Sequence, residues 1–237
     1  MTSLTEIIIE KAMGAIAAAL AAGRLKTIAS GVENIPSQGP ALIVARHYHH
    51  LYDGLALFAA LPRPFHIVVT MDWVQSKPTK FFMESLNRLA RWPMVLRGDA
   101  ITGKERTFFK PSDILRYQRI ALKHSIELLV EGKILVVFPE GYPNVDPTYT
   151  PKTDLEQFLP FKPGFVNMVA AAEQRLGGTI PIIPAGLRYG PGKSCVGNLV
   201  FGNAVFAQSF AAKKELVAFL ESEVRRLSSG PAFLAEP

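Results

Sequence analysis

The sequence predicts an α/β fold, a single domain with a central, mostly parallel sheet flanked by helices. Short apolar runs alternate along the chain with longer segments whose apolar residues recur at helical spacing, a pattern typical of sheets covered on both faces. The chain has 237 residues, of which 49% are hydrophobic, enough for the full core of one domain. Its single cysteine, Cys195, has no partner in the chain, which excludes a disulfide scaffold.

The chain opens with one predicted helix, residues 4–22, in an N-terminal segment that we place at residues 1–30. Ser3 is positioned to cap this helix, and Glu6 three residues later completes a capping box. The later turns are nearly all apolar, but the uncharged run 12–23 is shorter than the about 20 residues that cross a bilayer. Two interpretations stay open: the helix packs on the core, or it lies on a membrane surface.

The remaining residues, 31–237, form one domain of alternating strands and helices. Apolar runs bounded by turn residues predict strands over residues 41–45, 65–70, 94–96, 134–138 and 180–185. Helical spacing predicts one helix that opens within residues 47–53 and runs to 61, and others over 81–91, 111–131, 165–174 and 213–227. Pro62 and Pro64 break the first of these helices, and Gly132 caps the helix that ends at 131.

The positive charge of the chain is concentrated in one stretch. Residues 77–123 contain 11 basic and 4 acidic side chains, a net charge of +7, whereas the whole chain carries +6 and the remainder therefore −1. This distribution predicts a basic face that attracts anionic lipid headgroups, phosphorylated small molecules, an acidic carrier protein or nucleic acid. We expect no nucleic acid, because no aromatic-basic motif of a known type accompanies the charge.

Three histidines and a carboxylate follow the predicted strand 41–45. His47, His49, His50 and Asp53 lie where α/β sheets place their sites, beyond the carboxyl end of a strand. A neutral histidine held by a carboxylate acts as a general base, since the carboxylate fixes the tautomer and orientation of the ring. The cluster would also suit zinc in a metal-dependent hydrolase, which stays open as the alternative to a site without metal.

Five further sequence blocks occur in a set order around this cluster. They are GVENIP at residues 31–36, MVLR at 94–97, FPEG at 138–141, FKPG at 161–164 and IPIIPA at 180–185. With these blocks the chain resembles the glycerolipid acyltransferases, the family that contains the 1-acylglycerol-3-phosphate acyltransferases, over nearly its whole length. FPEG is the most specific of the blocks. The resemblance implies an O-acyltransferase of phospholipid biosynthesis.

The resemblance also implies a histidine base oriented by an aspartate. In the family four residues separate the two, and that spacing before Asp53 falls on Tyr48. Alignment from the upstream block places the family histidine on His47 instead, with one residue too many. His47 is therefore the first candidate, His49, which would reach Asp53 across a helical turn, is the second, and His50 is the third.

Other residues are expected at the substrate because of the resemblance. Glu140 would orient the hydroxyls of the acceptor, and backbone N–H groups near Gly141 would hold the developing oxyanion. Gly164 ends the FKPG block and is expected to contact substrate.

Two cations are the expected partners of a phosphate or another anionic headgroup. Arg97 ends the MVLR block, and Lys162 lies in the FKPG block. The family usually continues Glu-Gly with Thr-Arg, but the residues here are Tyr142 and Pro143, so one phosphate-binding arginine is missing.

The resemblance names the co-substrates rather than a cofactor. The donor is expected to be an acyl thioester of CoA or of acyl carrier protein, and the acceptor is expected to be lysophosphatidate, which would become phosphatidate. A protein that handles such lipids is expected at a membrane surface, on its cytoplasmic side, as a peripheral or monotopic protein. A non-catalytic lipid-binding member of the family is the remaining alternative.

Overall fold

A six-stranded sheet forms the centre of the structure, a computed structural model that describes residues 4–102, 108–147, 149–190 and 195–229. Its strands are β1 (Leu25–Ser30), β2 (Ala41–Ala45), β3 (Phe65–Ile67), β6 (Ile134–Val137), β7 (Ile182–Gly190) and β8 (Cys195–Phe201), while β4 (Val69–Thr70) and β5 (Met94–Val95) pair separately. The strand order is β1-β8-β7-β2-β6-β3, and every pair in it is parallel except β7 and β8. The sheet is therefore mostly parallel, as predicted.

Seven α-helices accompany the sheet in the described part of the chain. They are α1 (Leu4–Ala21), α2 (Tyr52–Ala60), α3 (Lys77–Leu89), α4 (Gly98–Thr102), α5 (Pro111–Val130), α6 (Gly164–Leu176) and α7 (Lys213–Ser228). Side chains of α5, α6 and α7 build one core, and side chains of α2 contribute to a second. Helices thus cover both faces of the sheet.

Strand β2 shows how the two cores arise. All five of its residues are buried, and their side chains alternate between the two faces. Leu42 and Val44 pack in the core with α5, α6 and α7, whereas Ile43 and Ala45 pack in the core with α2. A strand that is buried on both faces is a continuous apolar run, which is why the sequence predicts it well.

Two strands at one edge of the sheet, β1 and β8, have no counterpart among the predicted strands. The residues of β1 are mostly exposed, so its sequence, LKTIAS, forms no apolar run. The two strands form by pairing with each other, with Leu25 opposite Cys195 and Ser30 opposite Val200. Antiparallel pairing with β8 also extends β7 to Gly190, five residues beyond its predicted end.

The predicted strand 65–70 is two strands that belong to different sheets. β3 joins the central sheet through β6, whereas β4 pairs with β5. This side sheet packs with α3 and α5 around a small third core that includes Met71, Val74 and Leu96. Helix α3 begins four residues before its predicted start, because Ser76 caps it by accepting the Thr79 N–H.

The N-terminal segment and the sheet overlap in sequence. The sequence predicts that the domain begins at residue 31, but β1, residues 25–30, already belongs to the central sheet. Helix α1 ends at Ala21, close to its predicted end, and its predicted cap Ser3 lies outside the described residues. Among the helices that the structure describes, none combines the length and the apolar character that a membrane span requires.

Candidate active site

Two parallel strands bring the candidate residues together at one edge of the sheet. β2 and β6 pair with Val44 opposite Val137, so their carboxyl ends reach the same edge. There β2 continues into His47, and β6 continues into Phe138 and Glu140. The rings of His47 and Phe138 stack with their centroids 4.4 Å apart. The histidine cluster and the FPEG block, 93 residues apart in the chain, therefore form one site.

His47 and Asp53 form a hydrogen-bonded pair. Nδ1 of His47 lies 2.8 Å from Oδ2 of Asp53, which is buried in the first turn of α2. The His47 side chain keeps 18% of its surface exposed and lines a cavity. An ionised carboxylate only accepts hydrogen bonds, so in the neutral tautomer that fits this contact the proton is on Nδ1 and the lone pair is on Nε2, on the opposite edge of the ring. This arrangement suits a general base.

The Asp53 carboxylate receives three further hydrogen bonds. The Tyr48 N–H donates at 2.7 Å, the His49 N–H at 3.0 Å and the Tyr189 hydroxyl at 2.8 Å. Burial and the Asp53 charge raise the pKa of Tyr189 well above its usual value, which keeps its hydroxyl protonated as a donor. Tyr189 was not among the expected site residues, because it lies in the part of β7 that extends past the predicted strand.

Glu140 holds the backbone of His47 and does not line the cavity. Its Oε1 accepts the His47 N–H at 3.1 Å, and its Oε2 accepts the Leu159 N–H at 3.0 Å. Oε2 also pairs with Nζ of Lys152 at 2.6 Å, and neither side chain of this ion pair has any exposed surface. The Glu140 carboxylate therefore binds groups of the protein behind the histidine, whereas the sequence predicted that it contacts the acceptor.

Lys152 is a second residue of this site, besides Tyr189, that the motifs did not reveal. Its Nζ donates to the His47 carbonyl at 3.1 Å and to Oδ1 of Asn144 at 3.0 Å, besides its ion pair with Glu140. Burial lowers the pKa of Lys152, and the Glu140 charge opposes this effect. Glu140 and Lys152 together hold the N–H and the carbonyl of His47. No periodicity or block marks Lys152 in the sequence, so only the tertiary contacts identify it.

The rings of the other two candidate histidines have hydrogen-bond partners other than the aspartate. Nδ1 of His49 accepts the N–H groups of Leu51 and Tyr52 at the start of α2, at 3.2 and 3.3 Å, so it carries no proton. Burial lowers the pKa of His49, which favours the neutral ring. His50 is exposed, and its Nδ1 lies on a backbone carbonyl. Within the described ranges, no three His, Cys, Asp or Glu side chains are arranged to hold a metal ion.

A largely apolar cavity of about 1090 Å³ extends from the His47–Asp53 pair into the protein. Ligand pockets commonly measure about 300–1,000 Å³, so this one suits a large ligand. It lies between β3 and β6 of the central sheet, the side sheet, α2, α3, α5 and α6. Apolar residues from these elements that line it include Phe58, Ile67, Met83, Ala121, Val137 and Met168.

The two expected anion-binding cations line this cavity but differ in their partners. Arg97 is buried and donates to both carboxylate oxygens of Asp72, at 2.6 to 3.1 Å, and to the Gly141 carbonyl at 2.7 Å. Asp72 therefore offsets the charge of Arg97. The Lys162 side chain is 57% exposed, and its ion pair with Asp99 spans 4.0 Å. Lys162 is therefore the more accessible of the two cations.

Gly141 and Gly164 both line the cavity beside Lys162. Gly141 has a φ of 77°, in the left-handed region that favours glycine, and a Cβ added there would lie 3.3 Å from Nζ of Lys162. Its N–H donates to the Phe138 carbonyl at 2.9 Å, so this amide is not available to the oxyanion expected here. Gly164 is the first residue of α6, whose N-terminal end favours anions. Lys162 and Gly164 thus form one corner suited to an anion.

Comparisons with known proteins support this architecture. The fold is similar to the crystal structure of PlsC, the 1-acyl-sn-glycerophosphate (LPA) acyltransferase from Thermotoga maritima, with a TM-score of 0.58 and 18% sequence identity over 93% of this chain and 77% of that chain. At this identity the likeness concerns the fold, and it confirms the predicted α/β class. No protein of curated function matches the chain significantly in sequence. The profile of the family described as Acyltransferase matches residues 26–188, well over half of the chain. This match confirms the resemblance found in the sequence blocks, and the chain belongs to the acyltransferase family.

Proposed function

We propose that this acyltransferase moves a fatty acyl group from the thioester of CoA or acyl carrier protein to a hydroxyl of a glycerolipid, with lysophosphatidate as the acceptor. The observation that carries the proposal is the His47–Asp53 pair at the wall of a large apolar cavity. The activity named for the similar Thermotoga maritima structure supports the choice of acceptor.

The pair can perform the transfer without a covalent acyl-enzyme. Nε2 of His47 takes the proton of the acceptor hydroxyl as its oxygen attacks the thioester carbonyl carbon. Asp53 stabilises the imidazolium that forms, since its carboxylate lies 2.8 Å from Nδ1. When the tetrahedral intermediate collapses, the carbon–sulfur bond breaks, and the imidazolium returns the proton to the leaving thiolate. The products are an ester and a free thiol.

The remaining parts of the lipid fit the rest of the cavity. The apolar walls suit an acyl chain, and burial of each methylene contributes about 0.8 kcal/mol. Lys162 and the N-terminal end of α6 suit the phosphate of lysophosphatidate, since a mobile ammonium and backbone N–H groups both favour an anion. Arg97 is assigned to positioning the Gly141 turn, because its partners are Asp72 and the Gly141 carbonyl.

The test supplies purified protein with a radiolabelled palmitoyl thioester, carried by CoA or by acyl carrier protein, and with lysophosphatidate, monoacylglycerol or no acceptor. We expect labelled phosphatidate and release of one thiol per ester formed. Free fatty acid as the sole product, at a rate independent of acceptor, would contradict the proposal, as would stoichiometric zinc that is required for turnover. If the protein binds lysophosphatidate but shows no turnover with any combination of donor and acceptor, it is instead a non-catalytic lipid-binding protein.

A further inference from the structure

Helix α3 presents an apolar stripe to the solvent. Phe81, Phe82, Leu86 and Leu89 lie on one side of the helix and are all exposed, Phe81 by 75% and Phe82 by 63%. We call these four residues the α3 face. Large aromatic side chains rarely stay this exposed without a partner, and a contiguous exposed apolar patch marks an interaction surface.

The α3 face is continuous with the wall of the cavity. Leu86 of α3 and Leu122 of α5 line the cavity and are also exposed on the outside of the molecule. Met83, one turn from Leu86, lines the cavity as well. An apolar surface therefore leads from the α3 face past Leu86 and Leu122 toward His47.

Exposed cations lie on the same two helices as this apolar surface. Lys77 and Arg88 lie on α3, and Arg116, Arg119 and Lys123 lie on α5. They belong to the stretch 77–123 that holds the excess positive charge of the chain. Apolar residues flanked by Lys and Arg are the combination that binds the interface of an anionic bilayer.

We infer that the α3 face docks on a bilayer that contains anionic phospholipid, and that acyl chains enter the cavity from this bilayer between Leu86 and Leu122. The entry of acyl chains rests on the proposed function, whereas docking does not. An acidic carrier protein would match the charge, but it would leave the two phenylalanine rings without the hydrocarbon that suits them.

Helix α1 is the competing surface within the same chain. Ile16 and Leu20 are exposed there, Ile16 by 60%, but residues 12–21 carry no charge that would add attraction to an anionic headgroup. The two helices therefore supply a matched pair of variants, each with two exposed apolar side chains replaced by serine.

The experiment measures co-sedimentation with extruded vesicles of phosphatidylcholine, alone or with about a third phosphatidylglycerol. We expect Phe81→Ser/Phe82→Ser to lower the partition coefficient on anionic vesicles about tenfold or more, and Lys77→Gln/Arg88→Gln to lower it about fivefold per charge. Ile16→Ser/Leu20→Ser should bind as the unmodified protein does. Loss of vesicle binding in the α1 variant alone would overturn the inference. Binding of an acidic acyl carrier protein, with no binding to vesicles of either composition, would also overturn it.

Turnover provides a separate readout, and sedimentation decides the docking question even if the protein transfers no acyl group. With a short-chain, water-soluble thioester and acceptor, Phe81→Ser/Phe82→Ser should react at the rate of the unmodified protein. With long-chain acceptor embedded in anionic vesicles it should lose about tenfold or more of its rate. Equal losses with both substrates would show that the α3 face supports the fold rather than a bilayer contact, and would overturn the inference.

Discussion

The two ends of the cavity differ in the forces that hold their side chains. At one end, Asp53 accepts hydrogen bonds from His47, Tyr48, His49 and Tyr189, and an ion pair without exposed surface holds the His47 backbone. At the other end, α3 turns its apolar stripe outward. Among the described residues, the hydrogen bonds that hold α3 include its Ser76 cap and isolated side-chain bonds, such as that of Tyr117 to Glu84.

This difference matches what each end has to do in the proposed reaction. Hydrogen bonds are directional, so a dense set of them holds the His47 ring in one orientation, and a small misplacement of a base costs much of its effect. Apolar contacts are non-directional, so a wall built from them tolerates chains of different length and position. We expect substitutions at the polar end to change the rate, and substitutions at the apolar end to change access.

The largest effect is expected from removal of the base. His47→Ala should lower kcat about 10²–10⁴-fold, because Nε2 of His47 is the proton acceptor in the proposed transfer. The midpoint of thermal unfolding should change little, since the ring is partly exposed beside the cavity. Steady-state kinetics on lysophosphatidate and thermal unfolding measure the two effects.

His49→Ala is the matched control for this prediction. It removes the acceptor of two N–H groups at the start of α2, which costs about 0.5–1.5 kcal/mol of stability per hydrogen bond, but leaves the contact of His47 with Asp53 in place. Its kcat should stay within about tenfold of the unmodified protein, the equivalent of about 1.4 kcal/mol. If His49→Ala lost turnover and His47→Ala kept it, the base would be His49 and the assignment to His47 would be wrong.

The next largest effect is expected from Lys152→Met. It leaves the Glu140 carboxylate buried without its counter-charge, which costs about 3–5 kcal/mol of folding free energy. It also removes the donor to the His47 carbonyl, so kcat should fall about tenfold with little change in KM. Denaturant unfolding and kinetics below the unfolding transition measure both.

The double variant Lys152→Met/Glu140→Gln separates stability from positioning. It removes both charges, so most of the lost folding free energy should return. If Lys152 positions His47, kcat stays about tenfold low in this folded variant. Full recovery of kcat together with stability would show that the ion pair serves the fold alone.

A smaller effect, on stability at acidic pH, is expected at the apolar end, where His66 of β3 is hydrogen-bonded to the end of α3. Its Nδ1 donates to the Ala90 carbonyl at 3.1 Å, and burial lowers the pKa of His66 to about 4 from 6.5. Between pH 6.5 and pH 4, His66 therefore binds a proton in the unfolded chain but stays mostly neutral in the folded protein. The free energy of unfolding should fall by about 3 kcal/mol between pH 6.5 and pH 4 from this group, and by little more at lower pH.

His66→Asn isolates this contribution. The asparagine amide can donate to Ala90 in place of Nδ1, but it does not titrate. Denaturant unfolding at pH 7, 5.5 and 4.5 should show a shallower decline in the variant than in the unmodified protein. Parallel declines in the two proteins would mean that other groups account for the acid sensitivity.

Much of the fold was predictable from the sequence, because its central strands are buried on both faces. β2 and β6 are continuous apolar runs, and a run of that kind has few alternatives to a central strand. β1 and β8 were not predictable, because their residues are mixed in polarity and become strands by pairing with each other across 170 residues of chain. For the same reason the sheet includes residues 25–30, which the sequence assigns to the N-terminal segment.

The candidate site divides along the same line. By itself, the sequence determined the α/β class, the family, and the pairing of a histidine with Asp53, because local apolar patterns and short motifs carry that information. Only the tertiary structure decided that the ring of His47, and not the ring of His49 or His50, is hydrogen-bonded to Asp53. The tertiary structure also placed Glu140 behind the histidine, paired with Lys152. A buried charged side chain cannot be solvated by water, so its partners are the groups that the fold brings next to it.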